Sequence, residues 1–265
     1  MDHHVPAPAA PAMTHARALW TELAGVQVEF TSPADVVVAP DSLLCPPGWA
    51  GIVRIGDAAV VTAPDTRGAD ALRRAARHLS SAELVDPARL REALGATAPP
   101  LDVLGPAALF YLDRGRDTFV PALPERSGAG DRLSLAVEPA TGDHSAPTEG
   151  PAAPLAELLT AVGTADADES GLEEITSPAF VLRDGGDVVA AAGYALWPRS
   201  VAHVCVLVAP GLRRRGLARI VASAAVAHAL DTGLLPQWRA RPYPSRRVAA
   251  ALGFRELGAQ LSVRM

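Results

Sequence analysis

An arginine-rich turn between two apolar segments is the part of this sequence best suited to chemistry. Residues 201–218 read VAHVCVLVAPGLRRRGLA. The almost continuous apolar run Val201–Val208 predicts a strand that is buried on both faces, and Ala209-Pro210-Gly211 ends it. After the arginines the apolar spacing becomes that of a helix, with one stripe formed by Leu217, Ile220, Val221, Ala224 and His228.

This order of strand, basic turn and helix start predicts an anion site. The first amides of a helix have no partner within the helix and lie at the positive end of its dipole. Gly216 allows a ligand to approach the backbone without meeting a Cβ atom. A diphosphate is an anion that such a turn suits.

Composition excludes several other readings of these arginines. The chain has 265 residues, 49% of them hydrophobic, and a formal net charge of −5, and no aromatic residues alternate with the basic cluster, so nucleic-acid binding is not favoured. No Gly-Lys-Ser/Thr follows the strand, which disfavours a nucleotide P-loop. All 24 Lys+Arg residues are arginine, so no lysine is present to form a Schiff base.

The pattern Arg213-x-x-Gly216-x-Ala218 after a buried strand resembles the acyl-CoA-binding signature of the GNAT N-acetyltransferase superfamily. Downstream, Leu235–Ala240 is similar to the fifth strand of that family. Ser245–Leu252 is similar to the next helix, and Leu252-Gly253-Phe254 to the segment that closes it. The likeness covers roughly residues 150–265. It implies an α/β fold whose mixed α+β sheet carries helices on both faces.

The resemblance also implies which residues hold acetyl-CoA. Backbone groups of the strand would pair with the pantetheine arm, with Pro242-Tyr243-Pro244 lining the other side, and one strand N–H would bind the oxyanion. The diphosphate would take amides of the turn, and Ser245 would either contribute to this side or only cap its helix. The residues assigned to the coenzyme are Val206, Leu207, Val208, Arg213, Arg214, Arg215, Gly216, Leu217, Ala218 and Ser245.

Acetyl transfer to an amine needs a neutral amine and stabilisation of the leaving thiolate. His203 lies where several members of the family carry a catalytic glutamate, and an ordinary imidazole pKa suits a base near pH 7. A hydrogen-bonded core histidine is the alternative. Glu173 and Glu174 lie near the expected acceptor site, as a proton relay or as solvated charges. Tyr243 is the nearest phenol for the acid, with water as the alternative, and a Cys205–His203 nucleophile pair is disfavoured.

The chain divides into a flexible leader (1–13), an N-terminal α/β domain (14–120) and a C-terminal domain (121–265) in which 121–153 is partly linker. Strands are predicted at Leu133–Val137, Phe180–Arg183 and Val188–Trp197, and a helix at Pro154–Val162. From Phe180 onward the order is β-β-β-α-β-α-β, with a last strand or hairpin that ends at Met265.

In the N-terminal half the pattern predicts a hairpin of Gly51–Ile55 and Ala58–Thr62 around Gly56-Asp57. Helices are predicted at His15–Leu23, Ala69–Leu79 and Ala82–Leu94, the last divided by an Asp86 cap and Pro87. Further short strands are predicted at Val26–Phe30, Val36–Val38 and Leu109–Leu112. This half is either a degenerate copy of the GNAT fold or an unrelated cap, and the sequence leaves both open.

The resemblance to the GNAT superfamily implies a bacterial-type N-acetyltransferase that transfers an acetyl group from acetyl-CoA to an amine by direct, base-assisted attack. A non-catalytic acyl-CoA-binding regulator or scaffold is the alternative. The acceptor is a small-molecule or peptide amine, with no metal, nucleic acid or membrane as partner, and a homodimer stays open. Cys45 and Cys205 are too far apart in the sequence for a metal-type cluster, and no signal peptide or membrane span is apparent, so we expect a cytoplasmic location.

Overall fold

The computed structural model describes residues 11–95, 102–113, 118–122, 133–139 and 153–265. The helices are α1 (Pro11–Ala24), α2 (Thr66–Ala76), α3 (Ser81–Leu84), α4 (Pro87–Leu94), α5 (Ala153–Val162), α6 (Thr164–Ser170), α7 (Leu217–Asp231) and α8 (Tyr243–Ala251). The strands are β1 (Asp35–Val38), β2 (Ala50–Ile55), β3 (Ala58–Ala63), β4 (Asp102–Tyr111), β5 (Leu133–Glu138), β6 (Ala179–Asp184), β7 (Asp187–Trp197), β8 (Val201–Val208), β9 (Leu235–Ala240) and β10 (Arg255–Arg264).

The fold is therefore mixed α/β, as the sequence predicts. The chain groups into two compact units. Unit 1 contains the residues up to Tyr111 together with 240–243 and 256–265, and unit 2 contains 112–239 and 244–255. The domain boundaries at 14–120 and 121–265 stay a prediction.

Unit 1 is built on the predicted hairpin. β2 and β3 pair antiparallel from Gly51↔Thr62 to Ile55↔Ala58, and Gly56 takes the positive φ of 68° that the two-residue turn requires. β1 adds in parallel to β3, and β10 pairs antiparallel with β2, which gives the strand order β1-β3-β2-β10-β4. Helices α2 to α4 pack over an aliphatic core, where Asp86 caps α4 and Pro87 opens it as predicted.

Unit 2 is built on four antiparallel strands and one parallel strand, in the order β9-β8-β7-β6-β5. β7 pairs with β8 along its whole length, from Ala190↔Val208 to Trp197↔Val201, and β9 pairs with β8 in parallel. Helices α5 and α6 pack on Cys205 and Leu207 on one face of the sheet. Helix α7 contacts β6, β7 and β8. The predicted strands, including Leu133–Val137, and the predicted helix at Pro154–Val162 are confirmed.

Three local predictions are wrong. Val26–Phe30 is not a strand, because only the bridge Thr31↔Ala59 connects this segment to the sheet. α1 already begins at Pro11, within the predicted leader, whose residues 1–10 lie outside the described part of the chain. The apolar stripe of α7 is shifted: Ile220, Ala224 and His228 are only half-buried, since small residues such as Ala222, Ala225 and Ala229 bring the helix close to the sheet.

Candidate active site

β8 and β9 diverge at the middle of β8. Their pairing in the described residues runs from Val201↔Leu235 to His203↔Gln237 and does not continue, although β8 extends to Val208 and β9 to Ala240. Beyond His203, this edge of β8 therefore has no hydrogen-bonded ladder partner on β9. Backbone N–H and C=O groups on such an edge need partners, which an extended amide-bearing ligand can supply.

The turn after β8 leaves the start of α7 open. Gly216 is the N-cap residue, with φ 82° and ψ −4°, and no side chain caps the first amides of the helix. A Cβ atom added at Gly211 or Gly216 would meet nothing within 4 Å, so the space beside both glycines is empty. An uncapped helix start in open space is a site at which backbone amides can bind phosphate oxygens.

The three arginines of the turn have different surroundings. The guanidinium of Arg213 donates from Nε to the Val208 carbonyl at 3.2 Å and from Nη2 to Asp166 at 2.6 Å. These bonds hold the turn to the end of β8 and to α6. Arg214 and Arg215 are exposed, and Arg214 adopts a φ of 65°. Of the arginines assigned to the coenzyme, Arg213 is thus occupied by protein groups while the side chains of Arg214 and Arg215 extend towards solvent.

A polar cluster lies where β8 and β9 separate. The Nδ1 atom of His203 is 2.5 Å from Oε1 of Gln237. The His203 ring stacks on Trp197 with a centroid distance of 4.2 Å and an interplanar angle of 16°. The guanidinium of Arg239 lies 5.9 Å from the centroid of the Trp197 ring. These four side chains lie on one face of the sheet, because paired residues share a face and so do residues two positions apart on a strand. Trp197 pairs with Val201, two residues before His203, and His203 pairs with Gln237, two residues before Arg239.

Burial changes the acid–base properties of this cluster. Desolvation, assisted by the positive charge of Arg239, lowers the pKa of His203 to about 3, against the opposing hydrogen bond to Gln237. The ring keeps some accessible surface, yet its surroundings favour the neutral form. Desolvation also raises the pKa of Cys205 to about 12, with the Glu174 carboxylate acting in the same direction. Both groups are neutral at pH 7, so a Cys205–His203 nucleophile pair has no thiolate to use.

The charge of Glu174 acts on this cluster, whereas Tyr243 and Ser245 belong to helix α8. Glu174 is exposed and lies on the 3-10 turn Leu172–Glu174, which packs on β7 and β8. Its charge acts on both Cys205 and Arg239. Tyr243 is the first residue of α8 and is 72% exposed. Ser245 is the third residue of α8 rather than its cap, and its Oγ accepts a hydrogen bond from Nε1 of Trp238 at 2.9 Å. The catalytic and coenzyme roles of these residues stay predictions.

Sequence reasoning missed Trp197, Gln237 and Arg239. The sequence carried one signal for Gln237, a polar residue in the middle of the otherwise apolar Leu235–Trp238 segment. Its pairing with His203 depends on the parallel register of two strands separated by a helix, and this register is not readable from local pattern.

The comparisons with known proteins support the class that the fold and the site define, an acyltransferase. Residues 178–259 match the model of the GNAT acetyltransferase family. The match includes the turn at 211–218, so the C-terminal region is similar to GNAT acetyltransferases, which confirms the resemblance drawn from that turn.

Two solved structures illustrate the similarity. A GCN5-related N-acetyltransferase from Kribbella flavida is 18% identical, with a TM-score of 0.43, and the match covers 62% of this chain and 59% of that one. The chain thus spans less than two thirds of the Kribbella protein. A GCN5-related N-acetyltransferase-like protein from Streptococcus suis is 14% identical, with a TM-score of 0.46, over 94% of this chain and 97% of that one. No curated protein matches the chain.

Among the described residues, no group of three or more His, Cys, Asp or Glu side chains is arranged to hold a metal ion. In the same part of the chain, none of the helices has both the length and the apolar character needed to span a membrane.

Proposed function

We propose that this protein is an N-acetyltransferase that transfers an acetyl group from acetyl-CoA to the amine of a small-molecule or peptide acceptor. The observation that carries the proposal is the combination of a β8 edge that separates from β9 and an uncapped helix start at Gly216, one directly after the other in the chain. Together they offer backbone partners for an amide-bearing arm and for a diphosphate.

The residues present fit such a ligand. The empty space beside Gly211 and Gly216 admits phosphate oxygens to the backbone, and Arg214 and Arg215 add exposed positive charge. Acetyl-CoA supplies the activated acyl carbon as a thioester. The Val206 or Leu207 N–H is our candidate donor to negative charge that develops on the acyl oxygen. Since the Val208 carbonyl already accepts from Arg213, we assign the pantetheine contacts chiefly to the backbone before it.

On the acceptor side, His203 and Glu174 are the groups that we propose to act on the amine. His203 lies at the point where the strands separate and is neutral at pH 7, so it can accept a hydrogen bond from an amine. The exposed carboxylate of Glu174 relays the released proton through water. Tyr243, with its exposed phenol, or a water molecule protonates the leaving thiolate.

Two observations favour a second function, a regulator that binds acyl-CoA without turnover. A pKa of about 3 makes His203 a weak base, and helix α8 carries no tyrosine beyond its first residue. Such a protein would use the same opening between β8 and β9 and bind acetyl-CoA without releasing CoA.

The test is to measure acetyl-CoA binding by calorimetry and thiol release with a panel of amines, using the full chain. The double variant Arg214→Ala/Arg215→Ala should raise the acetyl-CoA Kd about tenfold, or roughly 1.4 kcal/mol, through loss of two charges near the diphosphate. The matched control is Arg67→Ala/Arg74→Ala, which removes two exposed arginines from α2 of unit 1 and should change Kd by less than about twofold.

Absence of saturable acetyl-CoA binding would overturn the proposal. Binding without thiol release for any amine would select the regulator instead. An equal loss of affinity in both double variants would show that overall charge, rather than the turn, attracts the ligand.

A further inference from the structure

His203 and Gln237 form the last residue pair before β8 and β9 separate. The Gln237 side chain is completely buried, and its Nε2 atom has no hydrogen-bond partner among the described residues. A buried amide with an unpaired donor destabilises the folded chain, so packing alone does not explain a glutamine at this position. We infer that Gln237 is a positioning residue that fixes His203 in one neutral tautomer, so that the ring accepts a hydrogen bond from the acceptor amine. This inference rests on the proposed function.

The chemistry follows from the atoms that face each other. The Oε1 atom of an amide can only accept, so the Nδ1 atom that lies 2.5 Å away must carry the hydrogen. A neutral imidazole with its hydrogen on Nδ1 keeps its lone pair on Nε2. Stacking on Trp197 fixes the plane of the ring and therefore the direction of that lone pair. An amine that donates to Nε2 is held with its own lone pair free for attack.

An amide and a carboxylate beside Nδ1 would have different effects on the charge of the His203 ring. A carboxylate beside Nδ1 stabilises the imidazolium, whereas an amide fixes the tautomer without adding negative charge. Arg239 on β9 is the charged group that acts on the ring, and it disfavours the imidazolium. From the other packed elements, Glu174 acts on Arg239 and Cys205, and Asp166 of α6 pairs with Arg213 at the far end of β8. The ring therefore serves as a neutral acceptor.

The first experiment reads the tautomer directly. Nitrogen chemical shifts of the imidazole in the full chain, assigned by the loss of the signal in His203→Asn, should show hydrogen on Nδ1 and no protonation above pH 5. In Gln237→Glu the introduced carboxylate should bring a His203 ionisation into the range of about pH 6–8. Hydrogen on Nε2 in the wild type, or an ordinary His203 titration near pH 6.5, would overturn the inference.

The second experiment reads the consequence for catalysis. Gln237→Leu should lower kcat about tenfold, the cost of one lost orienting hydrogen bond, and change the acetyl-CoA Kd by less than about twofold. In Gln237→Glu, kcat/KM should rise with pH through the new ionisation, because the protonated ring has no lone pair to offer. Unchanged kcat in Gln237→Leu, or an unaltered pH profile in Gln237→Glu, would contradict the positioning role.

The matched control is Gln260→Leu, which removes a buried glutamine of unit 1 that donates to the Leu44 carbonyl. It should leave the His203 tautomer and kcat as in the wild type. If Gln237→Leu fails to fold, the tautomer and pH profile of Gln237→Glu still decide the question. If acetyl-CoA does not bind at all, the proposed function fails, while the nitrogen shifts of His203 still report whether Gln237 sets the tautomer.

Discussion

The two units contain strand-to-helix junctions with related sequences and different chemistry. In unit 1, β3 runs through Ala63-Pro64 into α2, with Arg67 and Gly68 in its first turn. In unit 2, β8 runs through Ala209-Pro210 into the arginine turn, and Gly216 precedes α7. Both junctions thus combine a buried strand, an Ala-Pro pair, arginine and glycine at a helix start.

The two junctions differ in the residue at the helix cap position. Asp65 caps α2, and its carboxylate accepts a hydrogen bond from the Gly68 N–H at 2.7 Å. Gly216 occupies the equivalent cap position of α7 and has no side chain. The carboxylate of Asp65 occupies the position at the start of α2 where an anion would bind, and its negative charge repels a second anion. A cleft of about 340 Å³ beside α2, lined in part by Asp65, Arg67 and Arg74, is for this reason poorly suited to a diphosphate.

The largest expected effect comes from copying the cap of unit 1 into unit 2. Gly216→Asp places a carboxylate beside the first amides of α7, where it competes with the diphosphate and repels it. The acetyl-CoA Kd should rise about 100-fold, or roughly 2.7 kcal/mol, as measured by calorimetry.

Gly216→Asn is the matched control, because it has nearly the same shape and the same conformational strain at φ 82° without the charge. Its loss of affinity should be about tenfold smaller than that of the aspartate variant. Equal losses in both would show that backbone strain, rather than the cap, distinguishes the two junctions.

A smaller effect is expected from the reverse change in unit 1. Asp65→Ala removes the cap of α2 and should lower the free energy of unfolding by about 1 kcal/mol, measured as a shift of the urea midpoint. Asp65→Asn keeps a capping oxygen and should retain most of the stability. Calorimetry should still find one acetyl-CoA per chain, and a second bound molecule in Asp65→Ala would mean that unit 1 contains a latent copy of the site.

The smallest effect concerns the protonation of the half-buried His203 in unit 2. Its folded pKa of about 3 lies below the unfolded value of 6.5, so between these values the unfolded chain binds more protons. Stability should therefore fall as the pH falls from 6.5 towards 3 and be independent of this group above 7. From pH 7 to pH 6 the loss stays below about 1 kcal/mol. Urea midpoints of wild type and His203→Gln should differ in this slope, and identical slopes would contradict the lowered pKa.

Prediction from sequence succeeded where short stretches decide the outcome. The β8 strand, the turn at 209–216 and the start of α7 follow from apolar spacing, Pro-Gly punctuation and glycine, all within a few residues. The hairpin at Gly56-Asp57 and the Asp86-Pro87 helix start are equally local. The segment Val26–Phe30 failed, because its alternating pattern has no neighbouring strand to pair with except at one bridge.

The candidate site could be predicted only in part for the same reason. Arg213 could be assigned to a basic turn, but its ion pair with Asp166 joins residues 47 positions apart. His203 could be identified as a polar group in an apolar strand, but its base strength depends on Gln237, Trp197 and Arg239, which the fold brings to it.

The sequence by itself determined a buried strand, a basic turn with glycine and a helix start, because these features are set by the conformational limits of adjacent residues. The tertiary structure decided that β8 leaves β9 after His203, that Asp65 closes one junction while Gly216 leaves the other open, and that the imidazole is neutral. These properties depend on strand register and on the loss of water around buried groups. Both arise from contacts between distant parts of the chain.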